Sequence, residues 1–490
     1  MKKMIAALLA LILIFSFAGC GNENGADKAN INQNQDSAEF KLPYYSEDSL
    51  NPYTCASDTN AYLAPLLYES LFSINNDYTV SPVLAEKFTD ESSVITINLK
   101  ESYFNDGSAV TANDVAYSFE QAKSSDRYKE SLEGFSSASA KGDYVIRFSY
   151  TGENKYMINL LTFPIISAEN ENLYSGRYYY DTASASLLFN EKYGINKPEI
   201  AKITLIECKD YSAAIDLFNN DEIDYAFDFL NSGNIETTAS NSSKAITNNL
   251  IFLGINSKNK HLKSKDFRKA ISLAADQKQI VENAFQGYGY STTTPFNPNW
   301  AEMGTIVVSP DTADINRAKR LLSDLGYSFD NMDIKLLDGE KEITLTLVVN
   351  GTNNIKIAAA EALKNQLINI GITVDIKKMP LDEFLVAVQN ENFDLYIGEV
   401  KLLNDFNISC FFGDGAVSYG INCPDAEKAY KSYLSGENDL QYFISAFSDN
   451  TPFIPLCYKG AYICSDLALS GIREVNENDF YSGIENWSFK

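Results

Sequence analysis

The sequence predicts an α/β fold with parallel strands, divided into at least two lobes, and three observations carry that expectation. Ile343, Leu345 and Leu347 alternate as a strand, and the apolar residues from Ile355 to Ile370 follow helical period. Gly371 ends that run, after which Ile372, Val374 and Ile376 alternate again. Strand, helix, strand in this order is a βαβ unit, whose crossover makes its two strands parallel. About 450 residues follow Glu39, too many for one core at ~100 to 200 residues per domain.

From the N-terminus, Lys2 and Lys3 precede a stretch that is apolar from Met4 to Phe17 except at Ser16, and the chain then reads Phe17-Ala18-Gly19-Cys20. The stretch is shorter than the ~20 residues of a membrane-spanning helix. A charged start, a short apolar middle and small residues before a thiol predict a lipoprotein signal peptide over residues 1–19. Cys20 would then be the lipidated first residue, its acyl chains anchoring the protein to the outer face of the cell membrane. Phe17 stands where leucine is commoner, and an ordinary signal with an incidental cysteine is the alternative. Residues 20–39, rich in Asn, Gln, Asp and Gly, are expected to form a flexible tether reaching on the order of 25 Å.

Helix starts are marked along the rest. Thr111-Ala112-Asn113-Asp114 has the pattern of a capping box, with Val115, Phe119 and Ala122 on one face of the helix that follows. Ser264 precedes Phe267, Ala270, Ile271 and Ala274 at helical spacing, and Asp276 opens another helix through Ile280, Val281 and Ala284, closed by Gly287.

Charge narrows the partners. Without the two lysines of residues 1–19 the chain carries 38 basic against 65 acidic residues, a balance of −27. Such a chain repels nucleic acid and anionic lipid, and its field raises the encounter rate of basic solutes. His261 is the sole histidine, in the polar stretch Ser257-Lys258-Asn259-Lys260 that reads as a solvated loop. One imidazole leaves no HExxH site, and GxSxG, GxxxxGK and GxGxxG do not occur, so no enzyme and no cofactor are expected. Beyond Cys20, the six cysteines Cys55, Cys208, Cys410, Cys423, Cys457 and Cys464 allow up to three disulfides or buried free thiols. Cys457 with Cys464, or Cys410 with Cys423, would be the local pairs.

The run Phe104-Asn105-Asp106-Gly107-Ser108-Ala109-Val110-Thr111-Ala112-Asn113-Asp114-Val115-Ala116-Tyr117-Ser118-Phe119 resembles the motif of the extracellular solute-binding proteins of peptide, dipeptide and nickel ABC importers. Leu50-Asn51-Pro52, Tyr68-Glu69-Ser70-Leu71-Phe72, Pro82 to Glu86, Phe267 to Asp276, Phe393-Asp394-Leu395 and Pro452 to Leu456 fit the same family, which covers the chain from about residue 40 onward. The resemblance implies a two-lobe periplasmic-binding-protein-like α/β fold, type II, with the extra subdomain of the large peptide-binding class. It places lobe one at 40–250 plus 457–490, its inserted subdomain at about 73–174, and lobe two at 251–456, with a hinge where the chain crosses. It implies a monomer that captures a small peptide between its lobes and delivers it to ABC permease subunits.

Two stretches depart from the family. Its Gly-Thr-Gly-Pro-Tyr turn is reduced to Ser175-Gly176-Arg177-Tyr178, and the segment that in peptide binders reads like GWxADYxDP is here Gly398 to Asn407. In relatives an aspartate of that segment holds the ligand's α-amine. Asp405 is the first candidate for that role and Glu399 the second, with Asn404 beside them and Lys401 suited to a carboxylate. Trp300 and Tyr419 could wall side-chain pockets. A nickel or metal-chelate binder of the same family, and a surface receptor for a peptide signal, are the alternative functions.

Overall fold

The computed structural model describes residues 39–152, 154–231, 242–330 and 335–490. The expected signal peptide, Cys20 and all of the tether but Glu39 lie outside the described residues.

In the first lobe, strands β1 (Phe40–Tyr44), β2 (Tyr178–Asp181), β3 (Ser186–Phe189) and β4 (Lys202–Glu207) form a sheet in the order β1-β4-β3-β2, parallel between β1 and β4 and otherwise antiparallel. A second, antiparallel sheet of Ala85–Glu91, Val94–Leu99, Val145–Tyr150 and Phe135–Ala140 packs against helix α1 (Ala112–Ser124). Ile95, Ile97, Phe119, Phe135 and Phe148 meet there, and they belong to the same core as Phe40, Leu42 and Tyr178. The chain's end closes this core, with Trp487 edge-on to Phe40 at 6.0 Å between ring centroids. Arg177 fastens that end by pairing with Asp479 at 2.8 Å and Glu485 at 3.4 Å.

The larger sheet joins the lobes. Its strands are β5 (Tyr225–Asp228), β6 (Ser242–Ile255), β7 (Thr344–Asn350), β8 (Thr373–Met379), β9 (Leu395–Lys401) and β10 (Ile454–Ser465), in the order β5-β10-β6-β9-β7-β8. The long antiparallel pair β6 and β10 reaches the first core through Ala245, Ala461 and Ile463, and the second lobe through Ile251, Leu253, Ile454 and Leu456. The predicted βαβ unit is β7, helix α4 (Asn354–Leu367) and β8, with β7 and β8 parallel, and Gly371 in the left-handed region ends the helical run. Two further cores flank the sheet. α2 (Lys265–Ala274), α3 (Gln277–Ala284) and α4 pack on one face through Phe267, Ile271, Ile280 and Leu363. α5 (Leu381–Gln389), α6 (Pro424–Leu434) and α7 (Leu440–Asn450) pack on the other around Phe252, Phe411, Phe443 and Phe453.

The expected helix starts at Ser264 and Asp276 are caps, each side chain accepting from the N–H three residues on. One expectation is corrected, and of the two cysteine states left open one is found. His261 is buried, its Nδ1 2.6 Å from Tyr327 Oη and its ring stacked 5.7 Å from Phe267; burial lowers its proton affinity. All six cysteines described are free thiols, and Cys457 and Cys464 share β10, seven residues or roughly 23 Å apart along one strand.

Candidate functional site

The sheet order fixes where a crevice opens. From β7 the chain crosses by α4 to β8 on one side, and from β8 it returns by α5 to β9 on the other, so β7 sits at a topological switch between parallel neighbours. Ligands of open α/β sheets lie outside the carboxyl ends of strands at such a point. The residues there are Glu399 and Lys401 at the end of β9, and Asn350 leading to the N-terminus of α4. Gly398 places Glu399, because a Cβ at 398 would stand 2.3 Å from the Phe252 ring. Only glycine lets the strand lie this close.

Glu399 is saturated with partners. Lys459 of β10 reaches its Oε1 at 2.7 Å, Lys356 of α4 reaches Oε2 at 2.7 Å, and Asn249 Nδ2 of β6 donates to Oε1 at 2.8 Å. Burial would raise this carboxyl's pKa, but the two lysines overcome it and hold it down at about 2. Lys459 also donates to Asn231 Oδ1 at 3.0 Å. Lys401 points away from this cluster, its side chain 61% exposed, and pairs with Glu477 at 3.1 Å.

The next residues tie the lobes together. Asn404 donates to Asn478 Oδ1 at 2.8 Å, accepts from Asn248 Nδ2 at 3.1 Å, and its carbonyl accepts from Asn159. Tyr78, from a turn of the first lobe, is buried in the second against Phe406 at 4.8 Å, its hydroxyl accepting from Asn297. Asp405 is 6% exposed. Its Oδ2 accepts from Asn154 Nδ2 of the first lobe at 2.7 Å, and its Oδ1 from the Asn407 N–H at 3.1 Å. Burial raises its pKa against these neutral donors, and among the described residues no lysine or arginine pairs with it.

A cavity of about 10 Å³, room for one water, lies beside Asp405 and is walled by Tyr156, Trp300, Phe406, Tyr430 and Tyr433. Trp300 is a wall and a packing residue at once, 4.7 Å from Phe406 and 5.2 Å from Tyr156 between ring centroids. Tyr419 does not join this group. Its neighbour Gly420 is bonded to Ser257 just past the far end of β6, six residues and roughly 20 Å along the strand from Asn249. The sequence reading missed Asn154, Lys155, Tyr156, Lys356 and Lys459. The one available signal was for Lys356, three residues after the Asn353 cap at the end of a predicted parallel strand.

The model for bacterial extracellular solute-binding proteins, family 5, matches residues 79–402. The chain is 22% identical to the oligopeptide-binding protein AppA of Bacillus subtilis over 99% of this chain and 98% of that one. Among solved structures it is similar to the nickel ABC transporter protein of Bacillus halodurans, with TM-score 0.75, 16% identity, and 92% and 99% of the two chains covered. NikZ of Campylobacter jejuni in complex with Ni(L-His) gives TM-score 0.62 and 19% identity over 92% and 98%. With this fold and a family match over 324 of its 490 residues, the chain belongs to the bacterial extracellular solute-binding proteins, family 5.

Proposed function

We propose that the protein is the peptide-capturing component of an ABC importer, taking a small peptide between its lobes and presenting it to membrane permease subunits. The observation that carries this reading is Asp405, a carboxylate buried at the contact between the lobes whose partners among the described residues are neutral. An unpaired buried carboxylate is costly, and an incoming ammonium relieves that cost while making charge-assisted hydrogen bonds. Asp405 is therefore the α-amine anchor, and Asn154 is the group a peptide displaces. Glu399, already paired with two lysines, supports the crevice rather than holding the amine. Asn404 and Trp300 shape the seam.

Ligand contacts made to both lobes exist only when the lobes are together, and that difference in affinity shifts the population toward closure. The lobes divide at 250 and 457, where β6 and β10 cross. No catalytic step is involved. Among the described residues no helix is long and apolar enough to cross a membrane. Attachment at the outer face of the cell membrane is assigned to a lipid on Cys20, with the protein acting as a monomer.

Thermal unfolding of the mature protein against peptides of two to eight residues tests this. Ligand at a hundred times its dissociation constant adds about 2.7 kcal/mol. Stabilisation that disappears when the peptides are N-acetylated is the expected result. Stabilisation by nickel with histidine, and by no peptide, would overturn the peptide reading in favour of a metal chelate.

A further inference from the structure

Two carboxylates of the second lobe face the seam, Asp405 and Glu302, and each is met by one of two consecutive residues of the first lobe. Asn154 donates to Asp405 at 2.7 Å, and Lys155 Nζ lies 3.2 Å from Glu302 Oε1. The Lys155 ammonium is also 4.9 Å from the centroid of Tyr156 and 5.3 Å from that of Tyr433. A cation thus already rests on an aromatic face beside a carboxylate, and an amide donor rests on a second carboxylate next to it. Among the described residues neither carboxylate is paired with a lysine or arginine of its own lobe.

We propose that this seam is a subsite for two positive charges, so that the protein prefers peptides with a basic first residue, and that Asn154 and Lys155 are the internal stand-ins such a ligand displaces. The inference rests on the peptide reading and narrows its substrate class. The ligand's α-ammonium takes the place of the Asn154 amide on Asp405, and its side-chain cation takes the place of the Lys155 ammonium between Glu302 and Tyr433. The first exchange favours the ligand, because a full charge replaces a neutral amide on a buried carboxylate. The second replaces one ammonium by another at a partly exposed pair, Lys155 58% and Glu302 36% exposed, and returns the Lys155 side chain to water. The chain's excess of acidic residues draws the same class of solute.

Calorimetric titration of the mature protein with Lys-Ala-Ala, Ala-Ala-Ala and the diamine cadaverine tests the proposal. The expected result is binding of Lys-Ala-Ala about tenfold tighter than Ala-Ala-Ala. Glu302→Gln should bring that ratio close to one, and Lys155→Ala should tighten Lys-Ala-Ala about fivefold by removing the competitor. Both substituted side chains are partly exposed, and a thermal melt confirms that each variant folds. Equal affinity for the two tripeptides overturns the basic-residue preference and leaves the peptide reading standing. Binding of cadaverine with neither tripeptide supports the two-charge subsite and overturns the peptide reading; no binding by any of the three overturns both.

Discussion

Glu399 and Asp405 lie six residues apart, both largely buried, and their surroundings drive them in opposite directions. Two lysines hold Glu399 ionised, with its pKa lowered to about 2, whereas Asp405 has an amide and a backbone N–H as partners and its pKa is raised. Burial alone therefore does not set their meaning. A carboxylate whose cations belong to the same chain holds the second lobe to the strand that crosses into the first, and one lacking them is open to a cation from outside. The resemblance implies an acid in this stretch, and on the proposed reading the partners distinguish Asp405 from Glu399 as the one to receive a ligand.

The largest test of this contrast is Glu399→Gln, which leaves Lys356 and Lys459 facing each other without a counter-charge. Breaking a buried pair in this way costs about 3–5 kcal/mol, read by urea denaturation. A loss under about 1 kcal/mol would place the cluster effectively in solvent and break the comparison. Asp405→Asn should do the reverse. Peptide affinity falls about 10- to 100-fold through the missing charge-assisted bond, while unfolding free energy stays within about 1 kcal/mol of the parent.

Acid titration separates the two groups on one protein. Glu399 has a folded pKa of about 2 against an ordinary value of 4.5, so its stabilisation is present above pH 4.5 and is lost as the pH falls toward 2. That contribution is about 3 kcal/mol. Asp405, with its folded pKa above the ordinary 3.8, acts oppositely, favouring the folded state as pH falls through its raised value toward 3.8. Melting temperatures from pH 7 to 3 should therefore fall more steeply in Asp405→Asn and less steeply in Glu399→Gln than in the parent. The smallest effect sets the scale. Lys431→Ala removes an exposed pair with Glu427 on α6 and should change stability by no more than about 0.5 kcal/mol.

What was legible in the sequence follows the range of the interactions involved. The βαβ unit and the caps at Ser264 and Asp276 are written in residues two to four apart, and all of them stand in the structure. His261 was misread because its polar neighbours are close in sequence, while Tyr327, to which its ring is bonded, is 66 residues away. The partners of the two acids were beyond such reasoning. Lys356 and Lys459 reach Glu399 from a helix and a strand 43 and 60 residues away, and Asn154 meets Asp405 across 251. Tyr419, expected with Trp300 to wall side-chain pockets, instead lies beside Gly420, which is bonded to Ser257 past the end of β6 far from Asn249.

One detail of the joining sheet bears on how the protein moves. β6 pairs with β10 from Ser242 to Ala245 and again from Asn249 to Leu253, and the register shifts across the three residues between. There Thr247 Oγ1 reaches the Lys459 carbonyl and Asn248 reaches Asn404, side-chain contacts in place of strand-to-strand rungs. A turn of one lobe against the other that bends at residues 246–248 severs no rung of the β6–β10 pair. The crossing is built as a flexure, two paired leaves on either side of a short span whose backbone is held by Val475, Glu477 and Leu402 and not by β10.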